Sequence, residues 1–208
     1  GGMSKDSSFI AMGLGLVEHA LLDVIARDNL HLRPAHMPRT RRARANGRLK
    51  LIEQIVRRLI AMMALGLHVV FAPPKQCAPS PDLPDGVEIV IFPGAVEYHL
   101  TLLPASQQLN LSDPFPEIAR NGCARAGLVS TARLLARVRA LHRLLKSPET
   151  AAKRLARSFQ RLKAKGRPSP VAGPAPNAFR LNAELGALST ALPGLLNARL
   201  VSAWTDSG

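Results

Sequence analysis

A chain of 208 residues with 47% hydrophobic side chains is long enough for one domain with a real core, and too apolar for a disordered polyelectrolyte. Only six Phe, one Tyr and one Trp are present, so the core must be aliphatic, which points to helices. The net charge of +14 is concentrated: 14 bases stand against Glu149 alone between Arg120 and Arg167, and seven bases with no acid lie between Arg33 and Lys50. Positive fields this local imply a polyanionic partner, whether nucleic acid, anionic lipid or an acidic protein.

In chain order, the Gly-Gly ahead of Met3 reads as a cloning remnant. Ser7 or Ser8 is placed to cap a helix reaching about Asp28, with Leu14, Val17, Leu21, Leu22 and Ile25 as its buried stripe, weakened by Gly13 and Gly15. Residues 1–30 form this N-terminal helical unit. Residues 31–48, with Pro34, Pro38, Asn46 and Gly47 among the bases, read as a basic linker or exposed arm. The main domain spans 49–167. It opens with an amphipathic helix from Leu49 to about Phe71, carried by Ile52, Ile55, Val56, Leu59, Ile60, Met63 and Leu67. Its apolar run from Leu59 to Leu67 is too short for a membrane span, which needs about 20 residues.

Two alternating segments, Val87–Phe92 and Val96–Leu103, flank Pro93-Gly94-Ala95 and predict a β-hairpin. Residues 130–146 place Leu134, Leu135, Val138, Leu141, Leu144 and Leu145 on one helical face. Ser147-Pro148-Glu149 then stops that helix and starts another, with Ser147 as N-cap, running to about Lys165 and burying Leu155, Phe159 and Leu162. The pair reads as a helical hairpin with a basic exterior. Residues 168–208 form a Pro-rich linker followed by short helices around 178–192 and 195–204. The expected class is mainly α with one β-hairpin, an α+β arrangement built as a compact helical domain.

Chemistry is sparse. The histidines show no metal-ligand spacing with each other or with cysteine, and His19 with Asp23 and Glu18 is explained by the polar face of a helix. There is no P-loop, dinucleotide fingerprint or nucleophile elbow, and acids are too few to pair for general acid–base work. Cys123 beside Arg120 and Arg125 lacks a partner histidine, and Cys77 lies far from it, so two free thiols in a reducing, cytoplasmic setting are expected. These features describe a non-enzymatic binding protein without cofactor or metal. The candidate nucleic-acid-binding residues are Arg133, Arg137, Arg139, Arg143, Lys146, Lys153, Arg154, Arg157 and Arg161, which neutralise phosphates without reading sequence. A peripheral membrane or scaffold role through Arg57, Arg58 and the apolar stretch after them is a further reading, set back by the lack of aromatic anchors on the basic hairpin.

Between the hairpin and the basic helices lies Gln107-Gln108-Leu109-Asn110-Leu111-Ser112-Asp113-Pro114-Phe115-Pro116. It reads either as a connector that buries its leucines or as a peptide presented to another protein's groove. Gln108-Leu109-Asn110-Leu111 resembles the start of the linear motif by which bacterial replication and repair proteins dock on the DNA sliding clamp. The resemblance implies that Gln108 bonds at a pocket rim and that Leu109, Leu111 and Phe115 fill apolar subsites. It covers four consecutive residues and departs from the family at Ser112, where an aromatic belongs. Replication-blocking toxins of toxin–antitoxin pairs are one kind of clamp ligand. The resemblance therefore implies inhibition of DNA replication, with the clamp, DNA and an acidic inhibitor or antitoxin as partners.

Overall fold

The computed structural model describes residues 2–67, 97–103, 127–175 and 182–205. The expected strand 87–92, the loop at 107–116 and both cysteines lie outside the described residues. Among the described residues the chain is mainly helical with one two-stranded antiparallel sheet. Helix α1 spans Gly2–Arg27 and is followed by a 3-10 turn at Leu30–Leu32, strand β1 at His36–Pro38 and helix α2 at Arg39–Leu65. Strand β2 is Leu128–Ser130, and the helices α3, Ala132–Lys146, α4, Pro148–Ala164, and α5, Ala183–Thr205, complete the order.

Helix α2 is the axis of the domain. Leu49, Ile52, Ile55, Val56, Leu59 and Ile60 are all at most 1% exposed, because α1, α3, α4 and α5 each lie against it. The helix begins ten residues before the predicted start, so the C-terminal part of the expected linker is its first turns. Asn46-Gly47 reads as a breaker, yet a helical glycine costs only about 1 kcal/mol relative to Ala. Burying Leu49 one turn on returns about 1.5–3 kcal/mol, and Ala45 adds a further buried contact on the same face.

The antiparallel pair is not the predicted local hairpin. Residues 97–103 carry no strand, and β1 pairs instead with β2 across the chain, His36 opposite Ser130 and Pro38 opposite Leu128. Tyr98, within the predicted second strand, reaches Glu53 with its hydroxyl instead, and Leu100, Leu102 and Leu103 pack as coil on the core. Alternation was present in that segment, but the groups it meets are helical side chains.

Helix α1 buries Ile10, Val17, Leu21 and Val24, whereas Leu22 is exposed. One step along a helix turns roughly 100°, which carries Leu22 off the stripe that Leu21 and Val24 share. Gly13 sets the close approach of α1: a β-carbon there would lie 2.9 Å from Leu59 Cδ2 and 3.3 Å from Leu188 Cδ2. Over Ser7–Arg27 this helix is also long and apolar enough to cross a membrane by length and composition, with a mean hydropathy of 1.8.

The C-terminal segment forms one helix where two were expected. Asn182 Oδ1 accepts the Leu185 N–H at 2.8 Å and caps its start. Leu185, Leu188, Leu192, Leu196 and Leu200 form its buried stripe, and the helix runs straight through Pro193. Proline has no N–H for the carbonyl four residues back, that of Ser189. Arg58, fully buried on α2, donates Nη1 to the Ser189 carbonyl at 3.3 Å and Nη2 to the Gly173 carbonyl at 2.7 Å. Burial lowers the Arg58 pKa to about 10.

Candidate nucleic-acid interface

The two basic helices follow each other with Ser147 alone between them. Rather than closing on each other as a hairpin, α4 packs chiefly on α2 and α3 lies against both α2 and α1. The pairing of β2 with β1 starts α3 beside the start of α2, and Pro148 emerges near Met62 and Met63 at the far end of α2. Helix α3 therefore runs along α2 in the same direction. Ser147 occupies the position before α4 without a side-chain capping bond; its carbonyl accepts the Thr150 N–H at 3.2 Å instead. At the other end Gly166, with φ of +62°, lets the Arg167 N–H turn back to the Leu162 carbonyl at 3.0 Å.

Periodicity decides where the charges point. On α3, Leu134, Val138 and Leu141 face the core, and Arg139, Arg143 and Lys146 fall on the opposite side and are exposed. On α4, Leu155 and Phe159 are buried with Ala152 and Ala156, and Arg154, Arg157 and Arg161 line the outer face. Arg133, in the first turn of α3, and Lys153 are exposed as well. Among the described residues none of these eight side chains is paired with a carboxylate. Glu149 is the only acid on either helix, and it sits at the N-terminal turn of α4, where it complements the helix dipole. The expected interface residues are thus brought to two outward stripes, with one exception.

The exception is Arg137, which is 8% exposed. Its Nε donates to Glu53 Oε1 and its Nη2 to Glu53 Oε2, both at 2.9 Å, while Nη1 donates to Asn46 Oδ1 at 2.7 Å. The guanidinium also lies 5.6 Å from the centre of the Tyr98 ring. Burial alone pulls its pKa down, but the hydrogen bonds and charge of Glu53, with Tyr98, outweigh it and the net direction is up. Arg137 is therefore occupied inside the fold and stands apart from the other eight. The available signal was Glu53, the sole acid of α2, whose charge needs partners once α2 is buried. Arg57 approaches the same carboxylate at 3.8 Å and donates to the Thr101 carbonyl at 2.9 Å.

This network also ties down 97–103. The Tyr98 hydroxyl donates to Glu53 Oε2 at 3.2 Å. Burial and then the Glu53 charge raise the Tyr98 pKa, against the opposing pull of Arg137 and Arg57. Of the stretch read in one alternative as membrane-facing, Arg58 and Leu59 are buried in the domain and Arg57 is partly buried, while residues 68–71 lie outside the described residues. The motif residues Gln108, Leu109, Leu111 and Phe115 lie outside the described residues. Among the described residues no three His, Cys, Asp or Glu side chains gather to hold a metal. Comparisons with protein-family models, with curated proteins and with solved structures find no match to this chain.

Proposed function

We propose that this chain is a sequence-tolerant DNA-binding protein whose interface is the outer face of α3 and α4. The observation that carries the reading is the set Arg139, Arg143, Lys146, Arg154, Arg157 and Arg161, exposed opposite each helix's buried stripe and without carboxylate partners among the described residues. A face kept only for solubility normally carries acids at i,i+4 from its bases, which stabilise the helix itself. Here Glu149 is the only acid across both helices, so a phosphate backbone is the complementary surface. Such contacts release counterions and give affinity that falls steeply with salt and varies little with sequence. Fluorescence anisotropy with unrelated labelled duplexes tests it. Similar affinities that weaken together with added salt support the reading, and affinity for one sequence alone, or indifference to salt, contradicts it.

A second reading rests on Gln108-Leu109-Asn110-Leu111, which supports docking on the DNA sliding clamp and interference with replication, with α3 and α4 holding nearby DNA. Its test is a clamp pull-down with Gln108→Ala combined with Leu111→Ala. Loss of capture with an unchanged circular dichroism spectrum supports docking. Loss of fold supports the buried-connector alternative.

A further inference from the structure

Resting on the DNA-binding reading, we infer that the interface has a second patch where α2 and α3 begin, and that its ligand is double-stranded. The patch is built by the strand pair. Arg39 donates its N–H to the Gly127 carbonyl at 3.3 Å, Thr131 donates its N–H to the Ala35 carbonyl at 3.1 Å, and Arg42 Nη1 reaches the Ser130 carbonyl at 3.1 Å. These bonds hold the first turn of α2 against the first turn of α3. They gather the exposed Arg39, Arg41, Arg44 and Arg133 at one end of the domain, although Arg133 is distant from the others in the chain. Neither first turn contains an acid. None of the four arginines meets a carboxylate among the described residues.

The spacing and the aromatic side chains select the ligand. Helix α3 has 15 residues and therefore separates this patch from the start of α4 by about 22 Å. That distance is roughly two-thirds of a turn of duplex, whose stiff backbone presents phosphates along a fixed path. Single-strand binding depends on exposed aromatic rings as stacking platforms. Of the described aromatics Phe9, Tyr98, Phe159 and Trp204, none is exposed; Tyr98 is held beside Arg137, and Trp204 packs edge-on to Phe159 at 5.8 Å. Among the described residues the interface offers contact through phosphate and no stacking ring, which suits a duplex.

The test uses the full chain carrying Arg39→Glu, Arg41→Glu and Arg44→Glu. Acids at Arg39 and Arg41 in the first turn favour the helix dipole and Arg44 is exposed, so α2 is retained, and a thermal melt checks this. With a duplex of about 24 bp the triple variant binds at least tenfold more weakly at moderate salt, and the slope of log affinity against log salt shrinks by about 3. Wild-type protein binds a single strand of the same length more weakly than the duplex. Unchanged duplex affinity in this variant overturns the second patch, and equal affinity for the single strand overturns the duplex assignment. A parallel variant with Arg154→Glu, Arg157→Glu and Arg161→Glu separates the two levels. If it loses binding while the α2 variant does not, only this inference falls; if neither loses binding, the DNA-binding reading falls with it.

Discussion

The guanidinium of Arg58 donates to the Ser189 carbonyl, the acceptor that Pro193 leaves without a helical N–H. A proline in a helix and a buried cation with no carboxylate partner among the described residues are each unfavourable alone. Together they offset part of each other's cost, although Arg58 Nε has no hydrogen-bond partner among the described residues, and they fasten α5 to α2. Arg58→Met should cost about 1–3 kcal/mol, as expected for unsatisfied buried acceptors. In a Pro193→Ala background the restored N–H takes over Ser189, so the same substitution should cost about 1 kcal/mol less. Urea unfolding of the four proteins measures this coupling, and an identical cost in both backgrounds would refute it.

Glu53 and Arg137 form the other interior tie. Removing either partner leaves a buried charge, so Glu53→Ala or Arg137→Ala should destabilise by about 3–5 kcal/mol. The double substitution should cost clearly less than the sum. Below its melting temperature Arg137→Ala should retain the wild-type salt slope for DNA, unlike substitutions on the outer stripes. A reduced slope in a folded Arg137→Ala protein would return this residue to the interface.

Tyr98 is the only tyrosine, so its ionisation can be followed by absorbance near 295 nm. Burial and Glu53 raise its pKa above the ordinary value of 10. A raised folded-state pKa means that its stabilising contribution is whole below pH 10 and declines as pH rises through the folded value. The titration midpoint should therefore lie above 10, and wild-type stability should fall more steeply than that of Tyr98→Phe beyond that pH. A midpoint at or below 10 contradicts the Glu53 contact.

The glycines of α1 differ in their surroundings. Gly15 has open space where a β-carbon would sit, whereas Gly13 faces Leu59 and Leu188. Gly15→Ala should stabilise by about 1 kcal/mol through helix propensity. Gly13→Leu should destabilise by about 1–3 kcal/mol through overpacking. Thermal melts of the two variants should move in opposite directions, and a common direction would argue against this packing of α1.

Helices α3 and α4 were legible in the sequence to within two residues, because amphipathic spacing and Ser147-Pro148 marked their faces and the break between them. Their outward charges followed from the same period. Arg137 did not, since its burial depends on Glu53 far away in the chain. The start of α2 was hidden by Asn46-Gly47, whose local preference is outweighed by burial of Ala45 and Leu49. Pro193 likewise divided α5 on paper, because its remedy comes from Arg58 on another helix. The sheet was misplaced for a related reason: three-residue strands paired across the chain leave little alternation to read, while 97–103 alternates without forming a strand.

In the proposed function the outer face of α3 and α4 holds DNA by its charge. The most direct measurement is anisotropy of a labelled duplex titrated with the wild type and with the Arg154→Glu, Arg157→Glu, Arg161→Glu variant across a salt series. Wild-type affinity should fall with a log–log slope of at least about 5 in magnitude, from the six phosphate contacts of α3 and α4 before the second patch adds its own, and the variant should bind at least tenfold more weakly with a slope smaller by about 3. A variant that melts like the wild type and binds the duplex with the same affinity and slope would contradict the account.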